Sequence, residues 1–238
     1  MKNKLLIISL LLFVCISVTA KPKVLIFSKT AGYHHASIAV GIPAIIKLGQ
    51  ENNFDVDTTT DATKFSYDNL KQYAAVIFLS TTGDVLNDAQ QGEFEKYIKA
   101  GGGFVGVHAA TDTEYGWQWY GNLVGAYFKS HPAQQLATLH VVDRNFIATK
   151  SLPAEWKRFD EWYNFKWIAP GLHVLITIDE KSYTGGANGD DHPMSWYHEY
   201  DGGRAFYTEL GHTDESYADP LYLGHLLGGI KYAIGKKL

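Results

Sequence analysis

Short apolar runs alternate with amphipathic segments through the first half of the chain. The runs predict four buried strands, at residues 24–27, 54–59, 75–79 and 104–107. Between them, apolar residues recur at helical spacing, as at Phe94, Tyr97 and Ile98, ahead of a helix-ending Gly101. This alternation predicts an α/β fold with a doubly wound, mostly parallel sheet.

The second half of the chain has a less regular pattern. It predicts a helix over residues 117–128, strands over 135–142 and 172–178, and a closing helix over 220–234. Residues 194–199 and 204–209 predict two more strands, and the Asp-Gly-Gly sequence between them is a hairpin signal. No repeat or linker is visible, so we expect a single domain over residues 21–238 with an added β-hairpin.

Residues 1–20 have the pattern of an export signal. Lys2 and Lys4 precede an apolar stretch at residues 5–18, and residues 18–20 offer a small-residue cleavage site. The apolar stretch is too short to favour a membrane span. We therefore expect an exported protein, located in the periplasm or outside the cell.

Composition excludes several classes of function for the exported part. Without Lys2 and Lys4 the formal net charge changes from −4 to −6, which gives no support for nucleic-acid binding. The single cysteine, Cys15, lies within the predicted signal. Disulfides, thiol catalysis and thiolate metal sites are therefore not expected after cleavage.

Histidines and acidic residues follow the predicted strands. His35 lies in a polar loop after the first strand, and His108 and Asp112 follow the fourth. Because the carboxyl ends of parallel strands meet at one edge of a sheet, we expect these side chains to share a crevice. Imidazoles there could transfer protons near neutral pH or bind a divalent metal, although a structural role for His108 is equally compatible with the pattern. Glu161, in an aromatic-rich stretch, is a further candidate acid.

The sequence contains neither an HExxH metal motif nor a G-x-S-x-G elbow. Residues 106–110 have the outline of a nucleophile elbow, but His108 stands where a serine or cysteine would be expected. This substitution argues against acyl transfer through a covalent intermediate.

Four stretches carry a resemblance to a known family: residues 29–38, 102–108, 192–196 and 203–212. Together, in this order, they resemble the ThuA-like (trehalose utilisation) family over nearly all of the chain after the signal. The resemblance implies a fold of the flavodoxin/amidotransferase-like type, related to class I glutamine amidotransferases. The amidotransferase cysteine corresponds to His108, which implies that glutaminase activity is absent.

The resemblance also implies carbohydrate catabolism, with disaccharides oxidised to 3-keto forms as substrates. His108 or Glu161 would take the acidified proton from C2, and Asp112 is a further candidate catalytic group. His35, His212 or a bound divalent cation would polarise the carbonyl. The residues expected to contact the sugar are His212, Trp196, Tyr207, Trp162, His192 and His131.

Two other functions stay open at this stage. One is a non-catalytic carbohydrate-binding protein that uses the same crevice. The other is a conventional glycosidase, in which Asp112 and Glu161 would be a carboxylate pair about 5–10 Å apart. The sequence does not determine the metal, the natural glycoside, or whether the chain forms a homo-oligomer.

Overall fold

The computed structural model describes residues 20–235, so the predicted export signal, apart from Ala20, lies outside the described residues. The strands are β1 (Lys23–Phe27), β2 (Asp55–Thr59), β3 (Ala75–Leu79), β4 (Gly103–Val107), β5 (Ala126–Ser130), β6 (Gln135–Val141), β7 (Glu155–Asp160), β8 (Asn164–Ile168), β9 (His173–Ile178), β10 (Pro193–Tyr200) and β11 (Gly203–Thr208). The helices are α1 (Ile38–Glu51), α2 (Tyr67–Leu70), α3 (Asp88–Lys99), α4 (Gln118–Val124) and α5 (Pro220–Ile234). Within the described range, none of these helices is long and apolar enough to cross a membrane.

Nine strands form one sheet in the order β2-β1-β3-β4-β11-β10-β9-β6-β7. The first five of these strands pair in parallel. Strand order reverses between β1 and β3, which is the switch point of a flavodoxin-type sheet. Every residue of β3 and β4 is buried, as expected for central parallel strands that are covered on both faces. The predicted α/β class with a doubly wound sheet is confirmed.

The predicted hairpin joins the parallel strands to an antiparallel extension. Strands β10 and β11 pair antiparallel, with Tyr200 opposite Gly203 at the turn. Strands β9, β6 and β7 continue the sheet in antiparallel pairings. The second half of the chain therefore adds to the same sheet.

The prediction of one helix over residues 117–128 is wrong in its second part. The helix α4 ends at Val124, because Gly125 follows it with a left-handed φ of 95°. A Cβ at Gly125 would lie 2.3 Å from Nε1 of Trp196, so a larger residue does not fit. The chain then forms β5, which pairs with β8 in a separate two-stranded sheet.

The closing helix α5 has the predicted bounds and clear signals at its start. The side chain of Asp219 accepts a hydrogen bond from the backbone of Leu221, and Pro220 occupies the first helical position. The helix packs on β11, where Gly229 lies directly against the ring of Phe206. This close approach places α5 over the central strands that carry the candidate site.

Candidate functional site

Three histidines follow three parallel strands and meet at one edge of the sheet. His35 lies in the loop after β1, His108 directly follows β4, and His212 lies in the loop after β11. Glu161 follows β7 and reaches the same place from the antiparallel extension. One nitrogen or oxygen atom from each of these four residues lies within 4.8 Å of the others. We call this group the His₃Glu cluster.

The turn at His108 points its imidazole into the cluster. The backbone of His108 is left-handed, with φ of 49°, so β4 ends abruptly in the 3₁₀ helix His108–Asp112. The hydroxyl of Tyr207 donates to the carbonyl oxygen of His108 at 2.7 Å and supports this turn. Nδ1 of His108 lies 2.7 Å from the carbonyl oxygen of Glu209. Because a carbonyl only accepts, Nδ1 carries the hydrogen, and in the neutral ring Nε2 then holds the lone pair.

The polar atoms of the cluster are in direct contact. Nε2 of His108 lies 3.0 Å from Nδ1 of His212 and 3.5 Å from Oε2 of Glu161. Nδ1 of His212 lies 3.1 Å from the same carboxylate oxygen. The ring of His35 stands edge-on to both other imidazoles, with centroid distances of 4.8 Å and 5.2 Å. Four donor groups therefore surround one small volume.

Burial and proximity set the charges within the cluster. Burial, with the nearby imidazoles of His108 and His212, lowers the pKa of His35 to about 3. Burial alone would raise the pKa of Glu161, but the same two imidazoles outweigh it and hold that pKa well below its ordinary value. Near neutral pH the cluster thus contains a carboxylate and a neutral His35, a donor set suited to a cation.

Asp160 fixes Glu161 relative to His212. The buried carboxylate of Asp160 accepts hydrogen bonds from the backbone N–H groups of Gly211 and His212, at 3.2 Å and 3.1 Å. Arg158 forms a salt bridge with it at 2.9 Å. The end of β7 and the loop after β11 are therefore held as one unit by charge-assisted bonds.

A cavity of about 410 Å³ opens over the cluster, a size typical of small-molecule sites. His108 lies beneath its floor and is fully buried. His108 therefore reaches a bound molecule only through His212 and Glu161. The residues that line the cavity are Tyr33, His35, Asp112, Phe128, His131, Gln134, Glu161, Tyr163 and His212.

Asp112 and His131 supply a carboxyl group and an imidazole to the cavity wall outside the cluster. Burial raises the pKa of Asp112, although its carboxylate accepts a hydrogen bond from the Tyr115 hydroxyl at 2.5 Å. Nδ1 of His131 lies 3.1 Å from Oε1 of Glu161, and its side chain is 43% exposed. Both groups are placed to exchange protons with a molecule in the cavity.

The aromatic residues expected to contact a sugar are placed elsewhere. Trp196, Tyr207 and Trp162 are all buried, with at most 1% of each exposed. Trp196 stacks on Tyr207 with a centroid distance of 4.4 Å, inside the core. They have no surface to offer a ligand, and this corrects the expectation from sequence. The abundance of aromatic residues reflects core packing.

His192 is also buried and does not line the cavity. Its Nε2 lies 2.7 Å from the carbonyl oxygen of Tyr163, and its Nδ1 lies 2.8 Å from the carboxylate of Glu180. Contrary to the expectation from sequence, His192 therefore does not contact a molecule in the cavity but holds the backbone at Tyr163.

The aromatic surface of the cavity comes from residues that the sequence analysis did not select. Tyr33 is 67% exposed, and Phe128 and Tyr163 pack together with a centroid distance of 4.3 Å. Gln134 was also missed; its side-chain amide lies 2.8 Å from Nε2 of His212. The sequence offered a signal for two of these residues: Tyr33 lies two residues before His35, and Tyr163 lies two residues after Glu161.

Comparisons with known proteins agree with this architecture. Residues 23–233 match the ThuA family model, described as trehalose utilisation. A ThuA-like protein from Bacteroides uniformis ATCC 8492 is 25% identical, with a TM-score of 0.78 over 92% of this chain and 94% of that one. A ThuA-like protein from Parabacteroides merdae ATCC 43184 is 23% identical, with a TM-score of 0.73 over 90% and 91%. No significant match was found among the curated proteins.

A larger enzyme contains a similar fold. The β-galactosidase from Bacillus circulans sp. alkalophilus matches 91% of this chain with a TM-score of 0.58, but the match covers only 31% of that enzyme. The sequences are 11% identical, so this likeness concerns the fold alone.

Proposed function

The chain belongs to the ThuA family of trehalose utilisation, which indicates a role related to carbohydrate use, and we propose that it is an exported enzyme that cleaves 3-keto-glycosides by acid–base chemistry. The substrate would bind in the cavity over the His₃Glu cluster. One observation carries the proposal. A cavity of about 410 Å³ lies over a group of side chains that could bind a cation, and its wall holds two further groups that can transfer protons, Asp112 and His131.

The proposed reaction is an elimination. A carbonyl at C3 acidifies the proton on C2, and the glycosidic oxygen on C1 is the leaving group. A base removes the C2 proton, the C1–O bond breaks, and an acid protonates the departing oxygen. The products are an unsaturated keto sugar and the free alcohol or sugar. Each acid–base step typically contributes about 10²–10⁴-fold to the rate.

The burial of His108 changes the roles expected from sequence. His108 does not line the cavity, so it is a positioning residue for His212 and Glu161 in this proposal. His35 and His212 face the substrate oxygen at C3, where an imidazole N–H stabilises the developing negative charge. The Glu161 carboxylate holds His212 and His131 in place. Asp112 and His131, at the wall, transfer the protons.

The raised pKa of Asp112 supports its assignment as the acid. Burial makes this carboxyl hold its proton to higher pH than an exposed one does, which favours transfer of that proton to a leaving oxygen. His131 is exposed at the rim and contacts Glu161, so it suits the role of base toward the C2 proton.

The test compares a disaccharide such as trehalose with its 3-keto derivative, with product analysis by chromatography and mass spectrometry. We expect cleavage of the keto form alone. Cleavage of both forms would replace the proposal with a conventional glycosidase. Binding of either sugar without any product would replace it with a carbohydrate-binding protein.

A further inference from the structure

We infer that His35, His108, Glu161 and His212 bind one divalent transition-metal ion of the Zn²⁺ type. The inference goes beyond the proposed function, because it concerns what the His₃Glu cluster holds and stands whether or not a glycoside is cleaved. It rests on atom separations, on the partners of each imidazole, and on the chemistry of the donor set.

Separations within the cluster are within a few tenths of an ångström of those around a small ion. Ligands at about 2.0–2.2 Å from a tetrahedral metal lie about 3.3–3.6 Å from one another. Three pairs, among His108 Nε2, His212 Nδ1 and Glu161 Oε2, are separated by 3.0, 3.1 and 3.5 Å. Small side-chain adjustments would bring the two shorter pairs to these spacings.

Neighbouring groups orient two of the imidazoles in the way that metal sites require. The carbonyl of Glu209 takes the Nδ1 hydrogen of His108 and leaves Nε2 free to bind. Nε2 of His212 lies 2.8 Å from the side-chain amide of Gln134, so Nδ1 faces the cluster. With the amide turned so that its oxygen meets Nε2, Gln134 takes the Nε2 hydrogen and leaves Nδ1 free to bind. Each ligand is thus held at the nitrogen that points away from the others.

His35 supplies an independent observation. It is 97% buried, and its Nδ1 has no hydrogen-bond partner among the described residues. A buried polar atom without a partner is costly and calls for an explanation such as a bound ion. One ring nitrogen of His35 lies within 4.8 Å of a ligand atom of each of the other three residues, so an ion in the cluster would coordinate this imidazole.

The donor set selects the class of ion. Three imidazoles and one carboxylate suit Zn²⁺ and similar transition ions, whereas Ca²⁺ and Mg²⁺ prefer oxygen ligands. Three of the four ligands line the cavity, so a bound ion is accessible to a ligand entering from solvent. It could polarise an oxygen of that ligand as a Lewis acid.

The experiment measures metal uptake, independently of turnover. Protein stripped with a chelator is titrated with Zn²⁺ in competition with a chromophoric chelator, and the loaded protein is analysed by elemental mass spectrometry. We expect about one Zn²⁺ per chain. Glu161→Gln and His212→Asn, which change groups at the cavity surface, should lower the affinity by more than the roughly 10–100-fold typical of losing an orienting neighbour.

The matched control is His34→Ala, which removes an exposed imidazole from the same loop as His35. This variant should bind Zn²⁺ like the wild type, and circular dichroism should show that all variants are folded. Absence of Zn²⁺ uptake, or equal affinity in Glu161→Gln and wild type, overturns the inference. Uptake of Zn²⁺ without turnover of a keto sugar leaves the metal site standing and rejects only the proposed function.

Discussion

At the scale of single residues, a substitution of Asp112 can distinguish a role in proton transfer from a role in stability. Asp112→Asn keeps an oxygen that accepts the Tyr115 hydrogen bond but removes the acidic proton. Under the proposed function, kcat for the keto sugar should fall by about 10²–10⁴-fold, with little change in melting temperature. Steady-state kinetics check this, with Asp84→Asn, an exposed acid in the loop after β3, as the control. Unchanged kcat in Asp112→Asn would remove Asp112 from the mechanism.

A second residue, His225, makes stability depend on pH. It is fully buried, and burial lowers its pKa from 6.5 to about 4. Below about pH 6.5 the imidazole of His225 binds a proton in the unfolded chain, whereas in the folded chain it binds one only below about pH 4. Its contribution is therefore complete above pH 6.5, and about 2 kcal/mol of the free energy of unfolding is lost between pH 7 and pH 5.

Denaturant unfolding at the two pH values checks this expectation. His225→Gln replaces the imidazole with an amide that can still reach the carbonyl of Ala148 and the hydroxyl of Thr208. The variant should show a smaller loss of stability on acidification than the wild type. Equal losses in both proteins would mean that His225 does not contribute to the pH dependence.

The sequence located some residues of the site by topology and others only by their surroundings. His35 and His108 were located by one rule, that loops after parallel strands converge. Glu161 was selected for its aromatic-rich stretch, but it follows an antiparallel strand, so its approach to the same point depends on a strand order that local patterns do not contain. Trp196 was wrongly expected to contact a sugar, because an abundance of tryptophan is equally compatible with a packed core and with a sugar-binding groove.

At the scale of elements, α5 shows how closely a helix is fitted to the sheet. A Cβ at Gly229 would lie 2.2 Å from the ring of Phe206, whereas at Gly224 its nearest neighbour would be 3.7 Å away. Gly229→Ala should therefore destabilise the protein by about 1–3 kcal/mol through overpacking. Gly224→Ala, on the same helix, should be neutral or stabilising by up to about 1 kcal/mol. Denaturant midpoints measure both, and equal effects would contradict the close contact.

Secondary-structure elements were predictable where burial alone determines the pattern of apolar residues. The buried strands β1, β3 and β4 are continuous apolar runs, and their positions follow from the sequence almost residue for residue. The strand β5 was mistaken for helix because its five residues, Ala126–Ser130, are too few to establish a period. Its partner β8 is more than thirty residues away, so tertiary pairing decides its conformation.

At the scale of the whole molecule, the cavity continues into a second depression of about 540 Å³ beyond Gln134 and His212, which line both. Phe159 borders the second depression and is 53% exposed. Under the proposed function, the two adjoining spaces would hold the two rings of a disaccharide. Phe159→Ser should raise KM about 3–10-fold with little change in kcat, because it removes apolar contact remote from the reacting bond.

Kinetics with a keto disaccharide test this, and Val142→Ser, which changes another exposed apolar residue near the far end of β6, is the control. A fall in kcat without a change in KM for Phe159→Ser would place this ring at the reaction centre and remove the second subsite.

The four residues of the cluster are spread along the chain from position 35 to position 212, and Glu161 follows the outermost strand of the sheet. Contacts between such distant segments form only after large loops have closed, which is slow compared with local pairing. During refolding, helical content should therefore return before the cluster is assembled. The ability of the cluster to bind a metal ion would then return in a single late step and would not rise in proportion to helical content.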